Sequence, residues 1–300
     1  MFGSVFDKVA GYLGIRTVLG FLLPMIAFVS VALLLVGADV GWATVETWWI
    51  KRDGAFKGLA IVGTVAATAF AAMTMAQFVM PLVRLYEGYW TGPIGQRLAI
   101  LYRKRMLRRL SSLDPEKDGN FELRYYRYPV DRDDVLPTRL GNVFRSAETY
   151  PSAEGRYGMD AVFFWPRLLP VVPDSMRALL AEARSSINTL IATSFLASVF
   201  SLAFLCFFLV RPGFPLVWLM GAVGGLVISR ISYLGAVSAA TTYAELVRVS
   251  FDLYRHDLLK QLGFARPRSL TDEQLLWRNI AAQLYRRLAP NPEVLEYGGD

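Results

Sequence analysis

Four runs of apolar residues limit this chain more than any other feature. A bilayer's hydrocarbon core is ~30 Å thick, which takes about 20 helical residues to cross at ~1.5 Å each. Runs of that length occupy Thr17–Gly37, Leu59–Val83, Ile187–Val210 and Leu216–Ala239, with Pro24 inside the first and Pro81 near the end of the second. The last two are separated only by Arg211-Pro212-Gly213-Phe214-Pro215, which cannot continue a helix and so predicts a tight hairpin. The first run is longer than the apolar part of a signal peptide, and three more follow it, so it reads as a retained helix.

Composition agrees. Hydrophobic residues make up 54% of the chain and charged residues 19%, against about 25% charged in an average soluble domain. That balance excludes an ordinary soluble enzyme, a disordered regulator and a secreted disulfide scaffold. One cysteine, Cys206, and one histidine, His256, leave no thiolate or imidazole cluster, so no metal and no cofactor is expected. Only six of the 32 basic residues are lysine, an arginine excess that suggests a GC-rich bacterial genome.

Basic residues set the expected orientation through the positive-inside rule. The loop 38–58 balances Lys51, Arg52 and Lys57 against Asp39, Glu46 and Asp53. By contrast, Arg84 to Arg184 holds seventeen basic residues and the tail after Thr242 holds eight. Both chain ends and the long middle segment are therefore expected in the cytoplasm, at a bacterial inner membrane. Trp42, Trp48 and Trp49 on one side, and Tyr86, Tyr89 and Trp90 on the other, suit aromatic belts.

The expected fold is a mainly α integral membrane protein with four transmembrane helices and a small α-rich cytoplasmic domain. Residues 1–16 form an amphipathic interfacial helix, 17–37 the first span, 38–58 an extracytoplasmic loop and 59–83 the second span. The cytoplasmic domain covers 84–186, with a basic amphipathic helix at 94–110. The third and fourth spans are 187–210 and 216–239, and 240–300 is a cytoplasmic helical tail. Alternation at Phe121, Leu123 and Tyr125 suggests a short strand ended by Pro129. Pro137 opens a helix through Tyr150, and Ala161–Leu169 is apolar but too short to span. Asp174 is placed to cap the helix that leads into the third span. Thr271 with Gln274 suggests a capping box for a last helix, whose apolar face is Trp277, Ile280, Leu284 and Leu288.

Enzyme signatures are absent: the chain has no GxSxG, GxxxxGK[ST], GxGxxG or HExxH motif. Asp131, Asp133 and Asp134 could hold Mg²⁺ but read first as an acidic turn, and His256 reads as a surface histidine. No catalytic residue is assigned. The spans say more. Small residues let helices approach closely in lipid, where packing drives association. Gly63, Ala67 and Ala71 line one face of the second span, and Gly221, Gly225 and Gly235 one face of the fourth, for packing within a subunit or between subunits. Thr189, Thr193, Ser194 and Ser201 share a broad face of the third span. Their hydroxyls either bond to backbone and neighbouring helices or line a pore or cavity.

Arg230 is the one charge well inside a span, either snorkelling to the interface or paired, with Glu87 a candidate partner. Arg97, Arg103, Lys104, Arg105, Arg108 and Arg109 surround the apolar stripe of 94–110 with no acid among them. This reads as an interfacial helix or a lipid-headgroup site on an anionic inner leaflet, and not as a nucleic-acid surface.

The stretch LPTRLGNVFRSAETYPSAEGRYGMDAVFFWPRLLPVVP (Leu136–Pro173) and LVRLYEGYW (Leu82–Trp90) resemble segments of a group of uncharacterised bacterial four-helix, multi-pass membrane proteins. The resemblance covers about a third of the chain and implies a bacterial membrane protein without a known activity. The sequence thus predicts a homo-oligomeric membrane protein, either a pore or a membrane-linked sensor assembled through its small-residue faces. The alternative is a non-conducting scaffold that recruits a cytoplasmic protein, and a membrane-embedded enzyme ranks below both.

Overall fold

The computed structural model describes residues 14–116, 119–210, 216–287, 291 and 295. The expected helix at 1–16 falls mostly outside them, as do the turn at 211–215 and Leu288. Eleven α-helices order the described residues: α1 (Gly14–Val40), α2 (Trp42–Ile50), α3 (Gly54–Gln77), α4 (Val79–Glu87), α5 (Gly92–Ser111), α6 (Phe121–Tyr125), α7 (Arg139–Thr149), α8 (Ala161–Leu168), α9 (Asp174–Val210), α10 (Leu216–Gln261) and α11 (Leu270–Arg286). No strand occurs among the described residues. The helices form two compact units. Among the described residues, one comprises 14–83 with 185–236, and the other 84–184 with 237–287.

The first unit holds the four long apolar helices. Gly20–Val40 of α1, α3, α9 and α10 are all long and apolar enough to cross a membrane. Their outward faces carry large apolar side chains, with Leu59 73% and Phe70 72% exposed. In water such faces would aggregate, so the chain fits a multi-pass membrane protein. Phe21, Met25 and Phe28 of α1 fall at helical spacing and pack against Ala72 of α3 and Ala192, Leu196 and Ala197 of α9. Phe28 stacks on Phe200 at 5.2 Å. A second cluster joins Phe204 of α9 with Trp218 and Ala222 of α10.

Three boundaries differ from the sequence expectation. The second span ends at Gln77 rather than Val83, because Pro81 clashes with the carbonyl four residues earlier. The expected loop 38–58 is largely helical: Gly41, at φ 91, turns α1 into α2, and Asp53 accepts from the Phe56 N–H at 3.2 Å to start α3. Phe121–Tyr125 is a helical turn and not a strand, since Phe121 and Tyr125 stack at 5.4 Å across the four-residue spacing that only a helix brings together.

The second unit has an aromatic core. Trp165, Phe164, Trp277, Phe251, Leu140 and Ile280 are all fully buried. Phe164 meets Trp277 edge-on at 4.9 Å, and Trp165 lies 5.7 Å from Phe251. Thr138 caps α7 through the Gly141 N–H at 2.9 Å, and Asp160 caps α8. α11 is capped by Ser269, which accepts from Asp272 N–H, and not by Thr271 as expected. Trp277 and Ile280 of its apolar face are buried, whereas Leu284 is exposed.

A close approach of α9 and α10 yields a test. A Cβ added at Gly225 would meet Ser201 Cβ at 2.9 Å and the Ala197 carbonyl oxygen at 3.0 Å, whereas one at Gly224 meets nothing within 4 Å. Gly225→Ala is expected to cost about 1–3 kcal/mol by overpacking. Gly224→Ala is expected to leave Tm unchanged or raise it, as read by thermal unfolding in lipid nanodiscs.

Candidate functional site

The serines on the hydroxyl face of the third span bond to the neighbouring helix α10. Ser201 donates to the Ala222 carbonyl at 2.6 Å, Ser194 to the Ser229 carbonyl at 3.0 Å, and Ser198 and Ser229 share a hydrogen bond at 2.7 Å. Thr193 donates to the Thr189 carbonyl one turn back, at 2.8 Å. The Thr189 hydroxyl lies against Gly20 of α1. Gly221 lies against Phe204 and Leu35, Gly225 against Ser201, and Gly235 against Leu190. The small-residue face of α10 is thus covered inside one chain. The face of α3 differs. Ala71 joins the core around Phe21, but Ala67 is exposed, and nothing among the described residues comes within 4 Å of a Cβ built on Gly63.

Arg230 is exposed, with its guanidinium 5.7 Å from the Tyr233 ring. On α5, Arg97, Lys104, Arg105 and Arg108 are exposed and Arg109 is half-buried. Arg103 turns the other way: its Nε donates to the Val135 carbonyl at 2.9 Å and its Nη2 to the Asp133 carbonyl at 2.9 Å. It holds the 132–135 turn onto α5 and leaves the basic face to the other five.

The second unit hides a continuous polar network that composition did not reveal. Its centre is α7. Arg145 pairs with Asp134 and, at 3.0 Å, with Glu148, while Ser146 accepts from Arg248 at 2.6 Å. Arg248 is 5% exposed, yet donates also to the Tyr126 carbonyl at 2.7 Å and stacks over the Tyr126 ring at 4.4 Å. Burial lowers its pKa, and Glu245 opposes that effect. Next along, Asp252 accepts from two phenols, Tyr157 at 2.8 Å and Tyr150 at 3.0 Å. Burial and the Asp252 charge push both tyrosines up, so they remain protonated donors near neutrality. Arg255 lies over Tyr157 at 3.9 Å and pairs with Glu273 at 2.8 Å. The same Glu273 oxygen meets His256 at 3.1 Å and Trp277 Nε1 at 3.4 Å. Burial, then Arg255, lowers the His256 pKa against the pull of Glu273, leaving the ring neutral near pH 7.

Glu87 sits at the end of α4, only 6% exposed. Its carbonyl accepts from the Thr138 hydroxyl at 2.9 Å and lies so close to Gly141 that no side chain fits there. Burial raises its carboxyl from 4.5 to about 7, with Arg184 pulling down and Glu148 pushing up. Arg184, from α9, lies 5.7 Å from the Phe144 ring. This set can take up or release a proton near neutrality. No group of three His, Cys, Asp or Glu side chains among the described residues could hold a metal ion.

Sequence reasoning reached Glu87 but not Arg248, Asp252, Glu273 or the three tyrosines. One signal was available. Arg248 occupies the stripe that Ala240, Ala244, Val247 and Phe251 mark as buried on α10, and a charge on such a stripe needs partners.

No protein-family model, curated protein or solved structure matches the chain.

The raised carboxyl predicts a pH dependence. A folded-state value above the unfolded one contributes fully below about pH 4.5 and is lost as pH rises through about 7. The stability of the second unit in nanodiscs, followed by tryptophan fluorescence, should fall by on the order of 1–3 kcal/mol between pH 5 and 8. Glu87→Gln should flatten that dependence.

Proposed function

We propose that the chain is a homo-oligomeric, non-conducting scaffold of a bacterial inner membrane. Copies join through the open small-residue face of α3, and the helical unit built from residues 84–184 and 237–287 stands in the cytoplasm to recruit a protein partner. One contrast carries this proposal. Gly221, Gly225 and Gly235 of α10 and Ser194, Ser198 and Ser201 of α9 are engaged within the chain, while Gly63 on α3 has open space beside it. Engaged hydroxyls favour a scaffold over a pore lined by the third span, because a wall of water needs free polar groups. A face of small residues gives close helix contact, which is how helices associate in lipid.

The seventeen basic residues between Arg84 and Arg184 and the eight after Thr242 support the cytoplasmic side for that unit and for both chain ends. A chemical reaction has no support in the residues assembled here. The network around Arg248 and Asp252 ties three segments into one rigid surface, as a recruiting domain requires. The titrating Glu87 gives that unit a means of sensing pH.

Light scattering of the full chain in nanodiscs, with the lipid contribution subtracted, tests the assembly. Two or more copies per disc are expected. Gly63→Leu with Ala67→Leu should weaken association at least about tenfold, a loss of ~1.4 kcal/mol, without unfolding the chain. A wild-type monomer, or an unchanged assembly in the double variant, would overturn the proposal.

A further inference from the structure

The two faces of α5 differ in what they touch. Arg103, Met106 and Leu110 point toward the 128–135 segment, where Met106 and Leu110 are buried with Val135. Ile94, Leu98, Leu101, Lys104, Arg105 and Arg108 fall on the opposite side, within an arc of about 120° at 3.6 residues per turn. All six are exposed, Ile94 at 74% and Leu101 at 63%. A cleft of about 440 Å³ lies on this side, lined among the described residues by Leu101, Tyr102, Lys104, Arg105 and Arg108. Tyr102 is fixed by an edge-on contact with Trp90 at 5.7 Å, and the Trp90 indole donates to the Leu85 carbonyl at 2.8 Å.

We infer that the outward face of α5 is a docking surface for an anionic lipid leaflet, with Lys104, Arg105 and Arg108 taking phosphate-bearing headgroups and Ile94, Leu98 and Leu101 entering the acyl boundary. The occupant follows from charge and polarity together. No acidic residue occurs between Glu87 and Asp114, so the face presents unopposed positive charge. A nucleic acid or free phosphate would satisfy that charge but leave the apolar row in water. An anionic leaflet satisfies both, which is the pattern of helices lying in the membrane interface. Chain continuity agrees: α5 starts fifteen residues after α3 ends at Gln77 (92 − 77). The inference rests on the multi-pass membrane assignment and adds a lipid-composition dependence to it. Arg103 takes no part, since its guanidinium is bound to backbone carbonyls of the 132–135 turn.

The test uses the full chain with Cys206→Ser and Leu101→Cys, nitroxide-labelled, in nanodiscs of phosphatidylcholine alone or mixed with phosphatidylglycerol. Accessibility to oxygen, which concentrates in lipid, is compared with that to a water-soluble nickel chelate. A label at Glu116→Cys on an exposed turn gives the aqueous reference. In anionic discs the Leu101 label should favour oxygen. Adding Lys104→Gln, Arg105→Gln and Arg108→Gln, which weakens headgroup attraction by roughly a hundredfold, should return it to the aqueous reference. A label as aqueous in anionic as in neutral discs would overturn the inference while leaving the membrane assignment intact. So would a label moved out of lipid by a duplex oligonucleotide in equal charge to phosphatidylglycerol. Failure of the chain to enter discs at all would overturn both.

Discussion

The hydrogen bond from Ser201 to the Ala222 carbonyl marks the contact on which the apolar unit depends. A membrane interior gives helices no hydrophobic reason to associate, since lipid tails are as apolar as leucine. Association must come from close packing and from polar groups that find partners. Gly225 removes the side chain that would hold α9 and α10 apart, and Ala197 and Ser201 fill the space. Ser194, Ser198 and Ser229 extend the same seam toward the second unit's sequence boundary. Large side chains are then free to face outward, as Leu59, Phe70 and Met220 do.

The second unit solves the opposite problem with the same two helices. Where α9 and α10 leave the apolar segments they acquire buried charges, Arg184 and Arg248, which cost free energy unless paired. α7 supplies the Ser146 hydroxyl as an acceptor for Arg248, and aromatic rings supply faces for both guanidiniums. Such a network fixes one arrangement of helices more sharply than an apolar core could, because a shift leaves charges unpartnered. Burial raises the Glu87 carboxyl to about 7, so this group titrates near neutrality.

The spans were legible in the sequence because twenty apolar residues have few other uses. Their ends were less so: Pro81 stops α3 at Gln77 through a clash that hydropathy does not register. The strand expected at Phe121–Tyr125 failed because five alternating residues also fit one helical turn, and ring stacking decides for the helix. Glu87 was found from its position, but its neighbours come from residues 138–148 and 184, separations that no local pattern encodes. The hydroxyl stripe was visible too. What it touches was not, since serine on a helix bonds equally well to water, backbone or a facing helix.

Thiol accessibility tests the closed seam most directly. With Cys206→Ser, a cysteine placed at Ser201 replaces one small polar side chain by another at the α9–α10 contact, 3% exposed. Its reaction with a membrane-impermeant methanethiosulfonate can be followed in the intact, membrane-embedded chain. A seam closed within one chain predicts no labelling from either side until the protein is unfolded. Labelling at the rate of a surface cysteine such as one at Glu116 would place water against α9 and contradict it.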